Sequence, residues 1–187
     1  MAKPKLFIIT GTSGAGKTTI SNAIVSKVKN ITKVITCTTR PMRKGEKDGV
    51  DYRFFTKEKF ESFIRKDMLV EYAKVYDNYY GSLRSDVEDA MESKKSVLLS
   101  VNVAGALTFS AKFRGAITIF IKTPTLEILR QRLEARGKNT PEEINKRIEL
   151  AREELTFEKR YTHIVVNDKL KDAIDEVKQI VLSAVKD

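Results

Sequence analysis

The stretch GTSGAGKTT, Gly11 to Thr19, fits the phosphate-binding spacing Gly-x4-Gly-Lys-Ser/Thr at Gly11, Gly16, Lys17 and Thr18. Its surroundings match. Leu6-Phe7-Ile8-Ile9-Thr10 before it is a short apolar run of the kind found in buried strands. Ile20, Ala23, Ile24 and Val28 after it fall at helical spacing. Glycines let such a loop turn tightly and aim several backbone N–H groups inward, and the following helix adds the positive end of its dipole. Lys17 brings a full charge to the outer phosphates, and the Thr18 hydroxyl suits a magnesium ion. A glycine-rich turn that binds nothing is the competing reading, and the flanking strand and helix weigh against it. The motif points to a nucleotide phosphate and leaves a second substrate unnamed.

The 187 residues suit one domain with a sizeable core. Hydrophobic residues make up 41%, which predicts a globular chain. Lys and Arg number 35 against 25 Asp and Glu, a net charge of +10. That excess fits either nucleic acid or polyanionic small molecules. Without a long basic run, nucleic acid is the weaker reading. Cys37 is the single cysteine and His163 the single histidine, so neither a disulfide framework nor a histidine or thiolate metal cluster is expected. Cys37 reads as a buried, inert thiol and His163 as a strand-edge residue. No apolar run approaches the ~20 residues of a membrane span, and the N-terminal residues lack a signal-peptide core. The expectation is a cytoplasmic protein with no membrane partner.

Strand candidates at Leu6–Thr10, Val34–Thr38, Val97–Val101, Ile117–Ile121 and Ile164–Val166 alternate with helical patterns near Lys17–Lys29, Thr125–Ala135, Pro141–Lys159 and Leu170–Val185. Such alternation predicts an α/β fold with a parallel sheet and helices on both faces. Thr140 before Pro141-Glu142-Glu143 reads as a helix N-cap. Between Arg40 and Lys94 the rhythm breaks. Strands at Tyr52–Phe55 and Leu69–Val75 and a short helix carrying Phe60, Phe63 and Ile64 predict a small inserted α+β lobe. The polar break from Ala135 to Thr140 is a candidate mobile lid.

A second constellation runs TCTTRPMRKGEKDGVDYRF, Thr36 to Phe54. Arg40 and Arg43 flank Pro41, which stiffens the turn, and two arginines so placed can grip one phosphate bidentately. Tyr52 and Tyr80 can donate hydroxyl hydrogen bonds to the same phosphate. A solvated basic turn is the alternative.

With these pieces in view the chain resembles the guanylate kinases over essentially its whole length. The resemblance is carried, in order, by GTSGAGKTT, by TTRPMRKGE…DGVDYRF, by VEYAKVYDNYYGS from Val70 to Ser82, by RLEARG from Arg132, and by YTHIVVND from Tyr161. It implies phosphoryl transfer from ATP to GMP with Mg2+ as cofactor. It implies a single domain, residues 1–187, with a P-loop nucleotide kinase core (1–35 and 95–187), a GMP-binding lobe (36–94) and a lid at about 132–147. Carried over by position, Gly11, Thr12, Ser13, Gly14, Ala15, Gly16, Lys17, Thr18, Thr19 and Asn167 would bind ATP, with Thr18 also on the metal. Asn167 and Asp168 match the segment near the adenine. Arg40, Arg43, Tyr52 and Tyr80 would hold the GMP phosphate, and Thr36, Glu71 and Ser82 the guanine. Glu71 suits that place, because guanine offers an N1–H and a 2-amino donor where adenine has no N1–H. Glu46 and Asp51 would brace the arginines or be ordinary surface acids. Lys17, Arg43, Arg132, Arg136 and Arg147 would neutralise charge during transfer.

The chain departs from the family on the strand VLLSVNVAGA. Two aspartates usual there are replaced by Ser100 and Asn102, and a usual glutamine by Ala104. Asn102 would still lie near GMP. Neutral side chains cannot supply the charge that aspartates give a metal. Three functions therefore stand open at this point: an active guanylate kinase, a diverged nucleotide kinase with low activity or another acceptor, and a non-catalytic nucleotide-binding module. The retained Gly11, Gly16, Lys17 and Thr18 weigh against the last. Oligomeric state is not legible.

Overall fold

The computed structural model describes residues 4–135, 137 and 140–186. Its centre is a five-stranded parallel sheet in the order β2-β7-β1-β8-β9, formed by β1 (Leu6–Gly11), β2 (Ile31–Lys33), β7 (Ser96–Ser100), β8 (Ile117–Lys122) and β9 (His163–Val166). The middle strand β1 is apolar throughout because both of its faces are covered. Phe7 and Ile9 pack on one side with Ile20 and Ile24 of α1 (Lys17–Lys27) and Val177 and Val181 of α7 (Leu170–Lys186). Ile8 packs on the other with Ala106 and Phe109 of α4 (Val103–Lys112) and with Val87 of α3 (Arg84–Glu92).

Residues 36–94 carry a second, four-stranded sheet in the order β4-β3-β6-β5. Its strands are β3 (Cys37–Thr38), β4 (Arg53–Phe54), β5 (Leu69–Val75) and β6 (Asn78–Leu83), closed by α2 (Lys57–Arg65). Strands β5 and β6 form an antiparallel hairpin, and Cys37, Phe60, Phe63 and Leu69 make a separate small core. Cys37 is fully buried, and burial pushes its thiol up to about 12, so the inert reading holds. His163 opens β9 at the sheet edge and is exposed. Helices α5 (Leu126–Ala135) and α6 (Pro141–Leu155) pack together through Leu129, Leu133, Ile144 and Ile148. Thr140 caps α6 in a reciprocal capping box with Glu143, as the Thr-Pro-Glu-Glu signal predicts. Among the described residues no helix is long and apolar enough to cross a membrane.

Four sequence expectations change. The strand expected at Val34–Thr38 is mostly absent: β2 ends before it at Lys33, Val34 N–H still donates to Leu98 O, and the chain then leaves the main sheet so that only Cys37–Thr38 form a strand, β3 of the second sheet. The helix expected to reach Lys159 ends at Leu155, and a 3-10 turn follows at Glu158–Arg160. Helix α4 has no counterpart in the sequence reading. Val103, Gly105 and Thr108 lower its helix propensity, and tertiary burial of Val103, Ala106 and Phe109 overrides that. Helix α3 was likewise not separated from the inserted lobe.

Candidate active site at the C-terminal end of the parallel sheet

The GTSGAGKTT loop joins the carboxyl end of β1 to the first turn of α1, the position where open α/β sheets bind ligands. Gly16 has φ 96, and a Cβ there would lie 2.6 Å from Asn167 Nδ2, so only glycine fits. Asn167, 3% exposed, donates from that nitrogen to Ala15 O at 2.7 Å. Its side chain therefore bolts the loop down from beneath. The Lys17 ammonium donates to Gly11 O at 2.7 Å and Thr12 O at 2.9 Å, which curls the loop around it.

Two side chains of helix α6 meet Ser13 of the loop. Arg147 Nη1 donates to Ser13 Oγ at 2.9 Å, and Glu154 Oε2 accepts from Ser13 N at 3.3 Å. The two side chains are two helical turns apart on one face. Glu154 is 8% exposed; burial raises its pKa, and Lys17 opposes that.

The second sheet faces this loop across a cleft of about 540 Å3. Arg40 is clamped by Glu46 at 2.8 and 3.0 Å, and Glu46 also accepts from Arg43 N at 2.7 Å. Burial disfavours the Arg40 charge, but Glu46 outweighs it and the pKa is raised. Arg43 differs. Burial and the neighbouring Arg40 lower its pKa, so its charge is only partly compensated, as an anion site requires. Glu46 thus braces the arginines. Asp51 does not: it accepts from Lys47 N at 2.9 Å and from Asn22 Nδ2 at 3.3 Å, tying the turn to α1. Tyr52 and Tyr80 meet edge to face with centroids 6.3 Å apart and both line the cleft. Burial, with Tyr80 adding to it, raises the Tyr52 pKa, and the nearby Thr18 side chain opposes the shift; Tyr52 and Thr18 both line the cleft.

At the far end Glu71 is buried, with Oε1 accepting from Ser82 Oγ at 2.8 Å. The register of β5 on β6 shifts between Leu69 and Glu71, and such a bulge re-aims a side chain. Burial pushes the Glu71 pKa up to about 7, against the opposing effects of Ser82 and Lys112.

The cleft brings together Ser13, Gly14, Gly16, Lys17, Thr18 and Thr19 with Thr36, Arg40, Arg43, Tyr52, Glu71, Tyr80, Asn102 and Arg147. Ser82 reaches it through Glu71. Gly11, Thr12, Ala15 and Asn167 shape the loop without lining the cleft. Arg132 does not line it either; its Nη2 donates to Asp168 O at 2.8 Å. Arg136 lies outside the described residues. Ser100 and Asn102 both line the cleft, and Asn102 Oδ1 caps α4 by accepting from Gly105 N at 2.8 Å. An asparagine before an apolar helical pattern is an N-cap signal, and it would have located α4. Sequence reasoning missed Glu154 and Tyr76, which also line the cleft. Glu154 sits in an acidic run with no mark of burial in the sequence.

A parallel sheet whose central strand feeds a glycine-rich phosphate loop, facing an inserted second sheet, defines the class of P-loop nucleotide kinases. A shikimate kinase from Bacteroides thetaiotaomicron shares that fold at TM-score 0.53 and 15% identity, over 95% of this chain and 98% of the other. The family model "Guanylate kinase" matches residues 3–184. The guanylate kinase of Clostridium perfringens strain 13 is 42% identical over 178 residues, covering 95% of this chain and 82% of the relative. That of Caldanaerobacter subterraneus subsp. tengcongensis is 40% identical, covering 95% and 86%. The crystal structure of guanylate kinase from Anaplasma phagocytophilum superposes with TM-score 0.82 at 28% identity, covering all of this chain and 88% of the other. The chain belongs to the guanylate kinase family.

Proposed function

We propose that this chain transfers the γ-phosphoryl group of ATP to GMP, giving ADP and GDP. The observation that carries the reading is one cleft lined at one end by Lys17 and Thr18 and at the other by Arg43, Tyr80 and Glu71. A phosphate cradle and a buried carboxylate able to pair with guanine then face each other across the transfer path. The second sheet with its helices serves as the GMP-binding lobe, residues 36–94. The parallel-sheet core, 1–35 and 95–187, holds ATP, and residues from about 132 to 147 act as the lid.

A phosphate oxygen of GMP attacks the γ-phosphorus, and the bond to the β–γ bridging oxygen breaks, leaving ADP. No covalent enzyme intermediate is needed, so alignment and charge neutralisation do the catalysis. Lys17 and the loop N–H groups hold the ATP phosphates. Arg40, Arg43, Tyr52 and Tyr80 hold the GMP phosphate, and Arg147 meets the group in transfer. Arg132, which sits on Asp168 O, belongs on the adenine side. Arg136 is assigned with the lid. Glu71, Ser82 and Thr36 read the base: an unpaired buried carboxylate penalises AMP.

The donor set fits magnesium. Among the described residues no group of three or more His, Cys, Asp or Glu could hold a metal alone. Mg2+ takes one or two protein oxygens and keeps waters and phosphate oxygens for the rest. Thr18 would supply such an oxygen, with Ser100 lining the same cleft. When bound, the ion neutralises charge on the β and γ phosphates. A cytoplasmic setting is part of the same proposal, since both substrates are soluble nucleotides.

Coupled assays with Mg-ATP and GMP, dGMP, AMP, CMP or UMP test the reading. Turnover selective for GMP is expected. Preference for another acceptor, or binding without turnover, would refute it.

A further inference from the structure

Tyr76 stands in the two-residue connection between β5 and β6, at the tip of the hairpin that carries Glu71 and Tyr80. Its φ is 54, in the left-handed region that suits glycine or asparagine and disfavours a bulky side chain. A residue kept in such a conformation needs a compensating contact. The contact is Arg147, whose guanidinium carbon lies 5.6 Å from the Tyr76 ring centroid. The same guanidinium donates to Ser13 Oγ at 2.9 Å. Both Tyr76 and Arg147 line the cleft. Arg147 is thus held from two sides: by the phosphate loop through a hydrogen bond, and by the tip of the second sheet through a cation–π contact. Guanidinium suits the second contact, being planar and weakly hydrated.

We propose that Tyr76 is a positioning residue for phosphoryl transfer, holding Arg147 over the phosphate loop. The inference rests on the functional reading above. It gives the hairpin two tasks: its strands carry the groups that take the acceptor, while its tip sets the arginine that meets the transferring group. Asparagine would serve the turn better, so the turn alone does not call for a tyrosine here, and the ring's contact with Arg147 does.

The test compares Tyr76→Asn, Tyr76→Phe and the wild type. Asparagine removes the ring and fits the backbone, so it should fold with an unchanged or higher melting midpoint. Its kcat should fall about tenfold, with the dissociation constant for GMP within twofold of wild type. Phenylalanine keeps the ring face and should retain kcat within twofold. In an Arg147→Ala background, Tyr76→Asn should cause no further loss, because the pair acts as a unit. Wild-type kcat in Tyr76→Asn, a Tyr76→Phe variant as slow as the asparagine one, additive losses, or a lowered melting midpoint would each overturn the proposal. A wild-type chain that fails to phosphorylate GMP would instead refute the functional reading on which it rests.

Discussion

Glu71 and Gly105 share one space. A Cβ built on Gly105 would lie 2.6 Å from Glu71 Oε2, so the buried carboxylate occupies room that α4 leaves by having no side chain there. Val101 is close on the other side, at 3.2 Å from the same point. The carboxylate cannot hold its place against any larger residue.

Gly105→Ala is therefore expected to displace Glu71. Overpacking costs about 1–3 kcal/mol, which outweighs the ~1 kcal/mol that alanine gains over glycine in a helix. The melting midpoint should drop, and KM for GMP should rise about tenfold while KM for ATP stays within twofold. A variant with unchanged GMP kinetics would show that the carboxylate does not read the acceptor.

Glu71 also sets a pH dependence. Its pKa is raised from 4.5 to about 7 by burial. On raising the pH the unfolded chain loses this proton first, so between about pH 4.5 and 7 the folded chain holds more protons. Stability from this group falls across that window as pH rises. If Glu71 pairs with guanine as proposed, the ionised form is the one that binds, so GMP binding should release a proton and affinity should climb with pH until it levels above about 7. Isothermal titration at pH 6 and pH 8 in buffers of different ionisation enthalpy measures both. Glu71→Gln should bind GMP weakly, keep only the pH dependence of the GMP phosphate, whose second pKa is about 6, and narrow the preference over AMP. A pH profile identical in wild type and variant would move the dependence to another group.

The phosphate loop was legible because glycine spacing, an apolar strand and a helical pattern all point to one geometry. The parallel core was legible for the same reason: β1 must be apolar on both faces. The second sheet was only half legible. Strand β6 carries Tyr79, Tyr80 and Gly81; it pairs with β5 as a hairpin, but its pairing with β3 joins residues far apart in sequence, beyond any local pattern. Glu154 and the Tyr76–Arg147 contact were invisible because they join residues far apart in sequence. Asn102 was misleading in a different way. Compared with an acidic ligand it looks like a loss, yet its oxygen caps α4 and so places Gly105 beside Glu71.

Lys17→Ala should abolish most turnover and spare the acceptor. Lys17 sits among loop carbonyls at the end of the cleft proposed for ATP, away from Arg43 and Glu71, which are proposed for the acceptor. Loss of one charge contact to the transferring group costs a few kcal/mol, about 10²–10³ in kcat. The dissociation constant for GMP should stay within twofold. A near-wild-type rate would remove the loop from the mechanism.

Ser100→Asp tests the chain's main departure from its family. Ser100 ends β7 and is paired in register with Ile9, two residues before the phosphate loop begins. It lines the cleft together with Thr18 and Glu154. An aspartate there adds a negative charge near the place proposed for magnesium, where no carboxylate from this strand now stands. Magnesium binds carboxylate oxygen more strongly than hydroxyl oxygen, so half-maximal activation should occur at lower Mg2+, with a kcat at least that of wild type. Asn102 lies two residues away and caps α4, and it should be left unchanged so that Gly105 and Glu71 keep their places. Rates measured against Mg2+ concentration, at equal thermal stability of the two proteins, decide the matter. A slower variant with a higher Mg2+ requirement would mean that Ser100 belongs to an adapted, less acidic site in which added charge repels the phosphates. An unchanged Mg2+ curve would mean that the end of β7 does not reach the ion.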